Sequence, residues 1–99
     1  MVIKMKFGLS NEIYTQIKNI TKKYNKYEFK IFGSRSRGDF KNNSDIDIAV
    51  IGEVSKEDEF AILNEFDLLE IPYTIDVVFF NKIQKIEFLN SIKAEGVTF

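Results

Sequence analysis

Apolar positions along the chain alternate between a helical and a strand period, and the changes of period mark its elements. From Asn11 to about Lys23, Ile13, Ile17 and Ile20 fall on one helical stripe, and Ser10 or Asn11 can cap the start. A compact run, about Glu28–Phe32, predicts a first strand. Gly33 permits a sharp exit from it, and Ser34 can sit at the N-cap of a short helical turn over Ser34–Asp39. A second strand is predicted at about Ile46–Ile51. Ser55-Lys56-Glu57-Asp58 resembles a capping box opening a helix to about Leu69, with Phe60, Leu63 and Phe66 sharing a face. Pro72 breaks the chain before a third strand, Thr74–Phe80. Asn81, with Gln84 three residues on, caps a last helix with Ile83, Ile86 and Ile92 facing inward, and Gly96 ends it. The order αβαβαβα predicts a single small α/β (α+β) domain over residues 1–99, a mixed sheet covered by helices. Strand order stays open.

The bulk numbers narrow the chemistry. Ninety-nine residues can close one core without disulfides or structural metal, and 44% hydrophobic with 29% charged residues describes a folded globular chain. Cysteine and histidine are both absent. That removes thiolate sites, cysteine nucleophiles, the commonest general base and the usual zinc ligand, leaving carboxylates as hard-metal ligands. No apolar run approaches the roughly 20 residues of a membrane span. Met1-Val2-Ile3-Lys4-Met5-Lys6 lacks a signal-peptide core, so a cytoplasmic location is the default expectation.

Net charge is −1, yet residues 1–41 carry ten Lys and Arg against three acids, a balance of +7, and residues 42–99 carry four Lys against twelve acids, a balance of −8. Either the fold separates a basic from an acidic surface, or it mixes the halves and the dipole largely cancels.

Candidate chemistry concentrates in Gly33–Asp47, GSRSRGDFKNNSDID. Asp45 and Asp47 leave one face of their strand, roughly 7 Å apart along it. Asn42-Asn43-Ser44-Asp45 is turn-like and explains Asp45 alone. It does not explain Asp47, an acid inside an apolar strand. Asp76 is the same anomaly in Tyr73–Phe80, and if the second and third strands are neighbours it can join the pair. Three carboxylates can enclose one or two Mg²⁺ ions, and Asp76 can also accept a proton; the alternative for Asp76 is a salt bridge to a core-edge Lys. Backbone N–H groups at Gly33 and Ser34, with the Ser34 hydroxyl, can hold phosphate oxygens, although a lone Gly-Ser is ordinarily just a turn. Arg35 and Arg37 diverge on a helix. Arg37 is the candidate for a phosphate, the alternative being an ion pair that fixes the loop.

These residues resemble the DNA polymerase β-like nucleotidyltransferase superfamily, whose signature is Gly-Ser followed after about ten residues by Asp-x-Asp. Gly33-Ser34 and Asp45-Ile46-Asp47 match it, and Asp76 falls where the family carries its third carboxylate. Phe32–Asp39 with Asn43–Asp47, and the closing Ile92–Val97, look like the minimal nucleotidyltransferases, with Ser36 where alanine is more frequent. The resemblance implies a single nucleotidyltransferase domain, ATP or another nucleoside triphosphate as donor, and Mg²⁺ held by Asp45, Asp47 and Asp76. It implies an antitoxin acting beside a HEPN-domain ribonuclease toxin and silencing it by transferring AMP to a tyrosine. So small a domain leaves much of the acceptor-binding surface to the acceptor, which favours a protein.

Two other readings compete. A non-catalytic module could neutralise a toxin by contact, its acidic helix Glu57-Asp58-Glu59 to Asp67 and Glu70 meeting a basic surface. Thr21–Tyr27, where lysines and tyrosines interleave, has the composition of a nucleic-acid platform, though such a run is more often a solvated helix end. A homo-oligomer is compatible with exposed aromatics among the ten Phe.

Overall fold

A computed structural model describes residues 6–99; Met1–Met5, whose lack of a signal core was read from sequence, lie outside that range. The elements in chain order are α1 (Asn11–Lys23), β1 (Glu28–Phe32), α2 (Ser34–Arg37), β2 (Ile46–Ile51), α3 (Lys56–Asp67), β3 (Ile75–Phe79), a 3₁₀ turn (Phe80–Lys82), α4 (Ile86–Glu95) and β4 (Val97–Thr98). The four strands form one mixed sheet in the order β3-β2-β1-β4. The neighbours of β1 run antiparallel to it, while β2 and β3 are parallel. The small α+β domain expected from the alternation is present.

The two sheet faces divide the labour. Side chains alternate along a strand, so Phe29 and Ile31, Ile46, Ile48 and Val50, and Phe79 point to one face, where Ile17 and Ile20 of α1 and Ile62 and Phe66 of α3 complete the main core. On the other face Phe32 and Ala49 pack with Ile92 of α4, joined by Val78, Phe80, Ile83 and Phe88. Asp47 and Asp76 fall on this second face by the same alternation.

Both long helices that build the main core start as their sequence dictates. The Ser10 hydroxyl accepts from the Ile13 amide at 3.3 Å, and the Ser55 hydroxyl accepts from Asp58 at 3.1 Å. Each satisfies one of the amides a helix start leaves free.

Four expectations are corrected. Phe60, Leu63 and Phe66 line one groove but are not buried together: Phe60 is 75% exposed, and Ile62 joins Phe66 in the core instead. Apolar residues at 60 to 63 span most of the circumference of α3, so its period does not choose among them. Asn81 caps no long helix, because it lies in the 3₁₀ turn, and α4 starts at Ile86 after Lys85 with no side-chain cap. Ile86 is 69% exposed rather than inward. Ser34 is the first residue of α2 and not its cap, a place taken by Gly33. The strand β4 went unread because it is two residues long; Phe99 extends the pairing with an amide donated to the Phe29 carbonyl at 2.9 Å.

The charge halves are mixed in space. Lys23 pairs with Glu65 at 3.1 Å and Lys26 with Asp58 at 2.9 Å, joining the end of α1 to α3. The Tyr24 hydroxyl donates to Glu65 and the Tyr27 hydroxyl to Asp58. That hydrogen bond, with burial and the Glu65 charge, pushes the Tyr24 phenol up to about 12. The basic-aromatic run 21–27 is thus a clamp between helices, with two of its lysines and both tyrosines already engaged. No described helix is long and apolar enough to cross a membrane.

Candidate active site

The strand register delivers the carboxylates. Asp47 of β2 stands directly beside Asp76 of β3 in the parallel ladder, and on the other side of β2 it pairs with Phe32, the last residue of β1. Adjacent strands lie about 4.8 Å apart, so the two acids are nearest neighbours on one face. Asp45 ends the loop that enters β2 and is exposed. None of the three has an ion-pair partner among the described residues, so no described Lys makes the salt bridge that was the alternative for Asp76. Nor do any three acidic side chains among the described residues draw together as a metal cage.

Gly33 makes room for Asp47. Its φ of 76° and ψ of −157° lie where only glycine is comfortable, and a Cβ there would run into the Asp47 carboxylate. The backbone leaving β1 therefore passes directly over the acid. It then turns at once into the single turn of α2, whose carbonyl at Gly33 accepts from the Ser36 hydroxyl at 2.9 Å and the Arg37 amide at 3.1 Å. Gly38, with φ of 92°, closes that turn by donating to the Ser34 carbonyl at 2.9 Å. Gly33, Ser34, Asp47 and Asp76 thus meet at one end of the sheet.

Electrostatics there favour added positive charge. Burial, then the like charges of Asp76 and Asp45, hold the Asp47 carboxyl above the usual carboxylate range, and Arg37 offsets this only in part. Hard carboxylate oxygens with excess negative charge suit Mg²⁺, and Asp47 with Asp76 are the residues that can hold it. Arg37 itself forms ion pairs with Asp39 at 3.2 Å and Glu95 at 3.0 Å, tying α2 to the end of α4. Of the two alternatives for Arg37, this is the loop-fixing one.

A pH dependence follows. The folded state binds the Asp47 proton more tightly than the unfolded chain, so this group favours folding below its ordinary value of 3.8 and loses that benefit as pH rises through the raised value. Without divalent metal, Asp47→Asn is expected to melt above the wild type at neutral pH, with the gap closing on acidification. Paired thermal melts across that range check it; a gap independent of pH contradicts it.

Arg35 is the residue that sequence reading passed over. It is only 2% exposed. Its Nε and Nη2 donate to the Ser44 carbonyl at 3.1 and 2.8 Å, and Nη1 donates to the Phe7 carbonyl at 2.8 Å. The guanidinium lies 4.5 Å from the Tyr73 ring centre and 5.2 Å from that of Phe40. One side chain thereby ties α2, the loop that ends at Asp45, and the segment entering β3 before Asp76. The only sequence signal was its place next to Gly33-Ser34. Lys cannot form this fork. Arg35→Lys is expected to cost about 2 kcal/mol of stability, measurable by urea unfolding.

Of known structures, a crystal structure of a toxin-antitoxin with AMP-PNP matches with a TM-score of 0.65 and 20% identity, over 85% of this chain and 69% of that one. A putative nucleotidyltransferase from Sulfolobus solfataricus aligns at 23% identity over 97% of this chain and 88% of that one, with a TM-score of 0.47. At 20% identity the first of these likenesses speaks for the fold alone. No curated protein sequence matches significantly. The polymerase beta nucleotidyltransferase family matches residues 15–99, nearly the whole chain and all the site residues above, and the chain belongs to that family.

Proposed function

We propose that this domain is a Mg²⁺-dependent nucleotidyltransferase that moves AMP from ATP to a hydroxyl of a partner protein. The observation that carries the reading is the Asp47–Asp76 pair, side by side in register, with no ion-pair partner among the described residues and roofed by Gly33. Asp47 and Asp76 are the proposed metal ligands, and Asp45, exposed where the loop enters β2, is the third carboxylate that a bound ion would have to draw in. When bound there, a divalent cation neutralises the triphosphate and the departing pyrophosphate. The acceptor oxygen bonds to the α-phosphorus as the bond to the pyrophosphate oxygen breaks, and Asp76, exposed on the edge strand, takes the hydroxyl proton. Backbone amides at the start of α2 and the Ser34 hydroxyl hold phosphate oxygens, while Arg37 fixes the turn through Asp39 and Glu95.

The acceptor we infer is a tyrosine of a HEPN-domain ribonuclease toxin, with this chain as its antitoxin in the cytoplasm. A protein of the same fold, solved as a toxin-antitoxin with AMP-PNP, supports a toxin partner and an adenine nucleotide. Purified toxin incubated with this protein, ATP and Mg²⁺, then analysed by mass spectrometry, tests it. AMP on one toxin tyrosine is the expected result. Undiminished neutralisation by an Asp47→Asn variant at equal dose, with no modification of the toxin, would instead establish inhibition by contact.

A further inference from the structure

The sheet ends at β3, which pairs only with β2, so among the described residues nothing occupies the outer row of its amides and carbonyls. Beside that open edge lies a groove of about 370 Å³ between β3 and α3, lined by Phe60, Leu63, Asp67, Ile75 and Val77 among others. A second hollow of about 220 Å³ continues it past Tyr73 and Ile71, with Asp67 and Ile75 common to both. Phe60, Leu63 and Asp67 fall at i, i+3 and i+7 of α3 and so share one face. Phe60 and, just past the helix, Leu68 at 69% exposed are large apolar groups left in water.

The charge around the groove is one-signed. The lysines that approach α3 are spent: Lys23 on Glu65, Lys26 on Asp58 and Lys82 on Glu59. Asp67 and Glu70 have no ion-pair partner among the described residues.

We propose that this edge is the acceptor-docking site, and that its occupant is an extended segment of the partner protein added as a fifth strand beside β3. The proposal rests on the transfer reading and names how its acceptor is held. A free strand edge supplies main-chain hydrogen bonds and the neighbouring pockets select alternate side chains. The alternation of β3 then fixes the pattern of the guest. Its residues level with Ile75 and Val77 enter the apolar groove under Phe60 and Leu63. The residue between them is level with Asp76 and shares its face, about 4.8 Å away across the strands. The guest is therefore a hydroxyl residue flanked by apolar ones, with a Lys or Arg nearby for Asp67 and Glu70. A helix laid in the groove would use the apolar floor but leave the strand edge unpaired.

A labelled peptide with a central tyrosine between valines and lysines at its ends is the probe, its affinity read by fluorescence anisotropy. Leu63→Glu, a change at a half-exposed position, is expected to weaken binding about tenfold or more while nucleotide affinity stays within about twofold. N-methylation of the peptide amides that face β3 is expected to weaken it as much. Equal binding by either altered partner overturns the proposal, as does failure of the wild type to bind the peptide. A homodimer that buries the groove and is dissociated by Leu63→Glu in sedimentation also overturns it. Peptide binding without label transfer from ATP leaves the docking edge standing and removes the transfer reading instead; transfer indifferent to Leu63→Glu does the reverse.

Discussion

Asp47→Asn is expected to cut nucleotidyl transfer roughly a thousandfold or more while the fold stays intact. Asparagine has the shape of aspartate and fits the same strand position, but it brings no charge to the place where the proposed reading puts a cation and a triphosphate. Asp47 is also held above the usual carboxylate range by burial and by Asp76 and Asp45. Removing its charge relieves that repulsion, so stability at neutral pH without metal should rise rather than fall. Loss of activity together with a gain in melting temperature is a signature that simple misfolding does not produce. On the proposed reading Mg²⁺ with ATP raises the melting temperature of the wild type, and the same variant should lose most of that rise, because a ligand stabilises only in proportion to its binding. Turnover assays and melts on one preparation check all three. Activity within severalfold of wild type would falsify the assignment of Asp47.

Gly33→Ala carries the second large effect, and it acts through two separable terms. The backbone conformation, φ 76° with ψ −157°, costs a non-glycine residue about 1–3 kcal/mol. The added methyl group also meets the Asp47 carboxylate. Asp47 has a short side chain, so the carboxylate must turn away from the position it shares with Asp76. Stability should drop by about 2 kcal/mol, within the range expected for a strained backbone position. Activity should fall far more than that loss explains, since the folded fraction at room temperature stays high. Restoring stability elsewhere, for example with an added osmolyte, is expected to recover the melting temperature and not the turnover. Recovery of both would mean that glycine serves the turn alone.

Much of the site could be read from sequence because strand alternation is strict. An acid inside an apolar strand is conspicuous, and Asp47 and Asp76 each break an otherwise apolar run. Their adjacency depended on strand order, which no local pattern encodes; the structure supplies it by placing β3 beside β2 in parallel register. Helix starts at Ser10 and Ser55 were equally legible, since a cap is a local hydrogen bond. Failures came where tertiary contacts choose among local options. The apolar residues of α3 offered several possible stripes, and the sheet selected Ile62 and Phe66. The Asn81–Gln84 pattern was overruled because Phe80 and Ile83 are used under α4 against Phe32 and Ala49. Arg35 was missed for a related reason. Its partners are carbonyls and rings from segments distant in the chain, and neither kind of group leaves a charge pattern to find.

The position of the label in ATP tests the central claim most directly. With Mg²⁺ and the partner toxin, ATP labelled at the α-phosphate is expected to label the acceptor, with one pyrophosphate released for each AMP attached, and ATP labelled at the γ-phosphate is expected to leave it unlabelled. Acceptor labelled from the γ-phosphate, or ATP consumed without any label reaching the acceptor, would contradict the account.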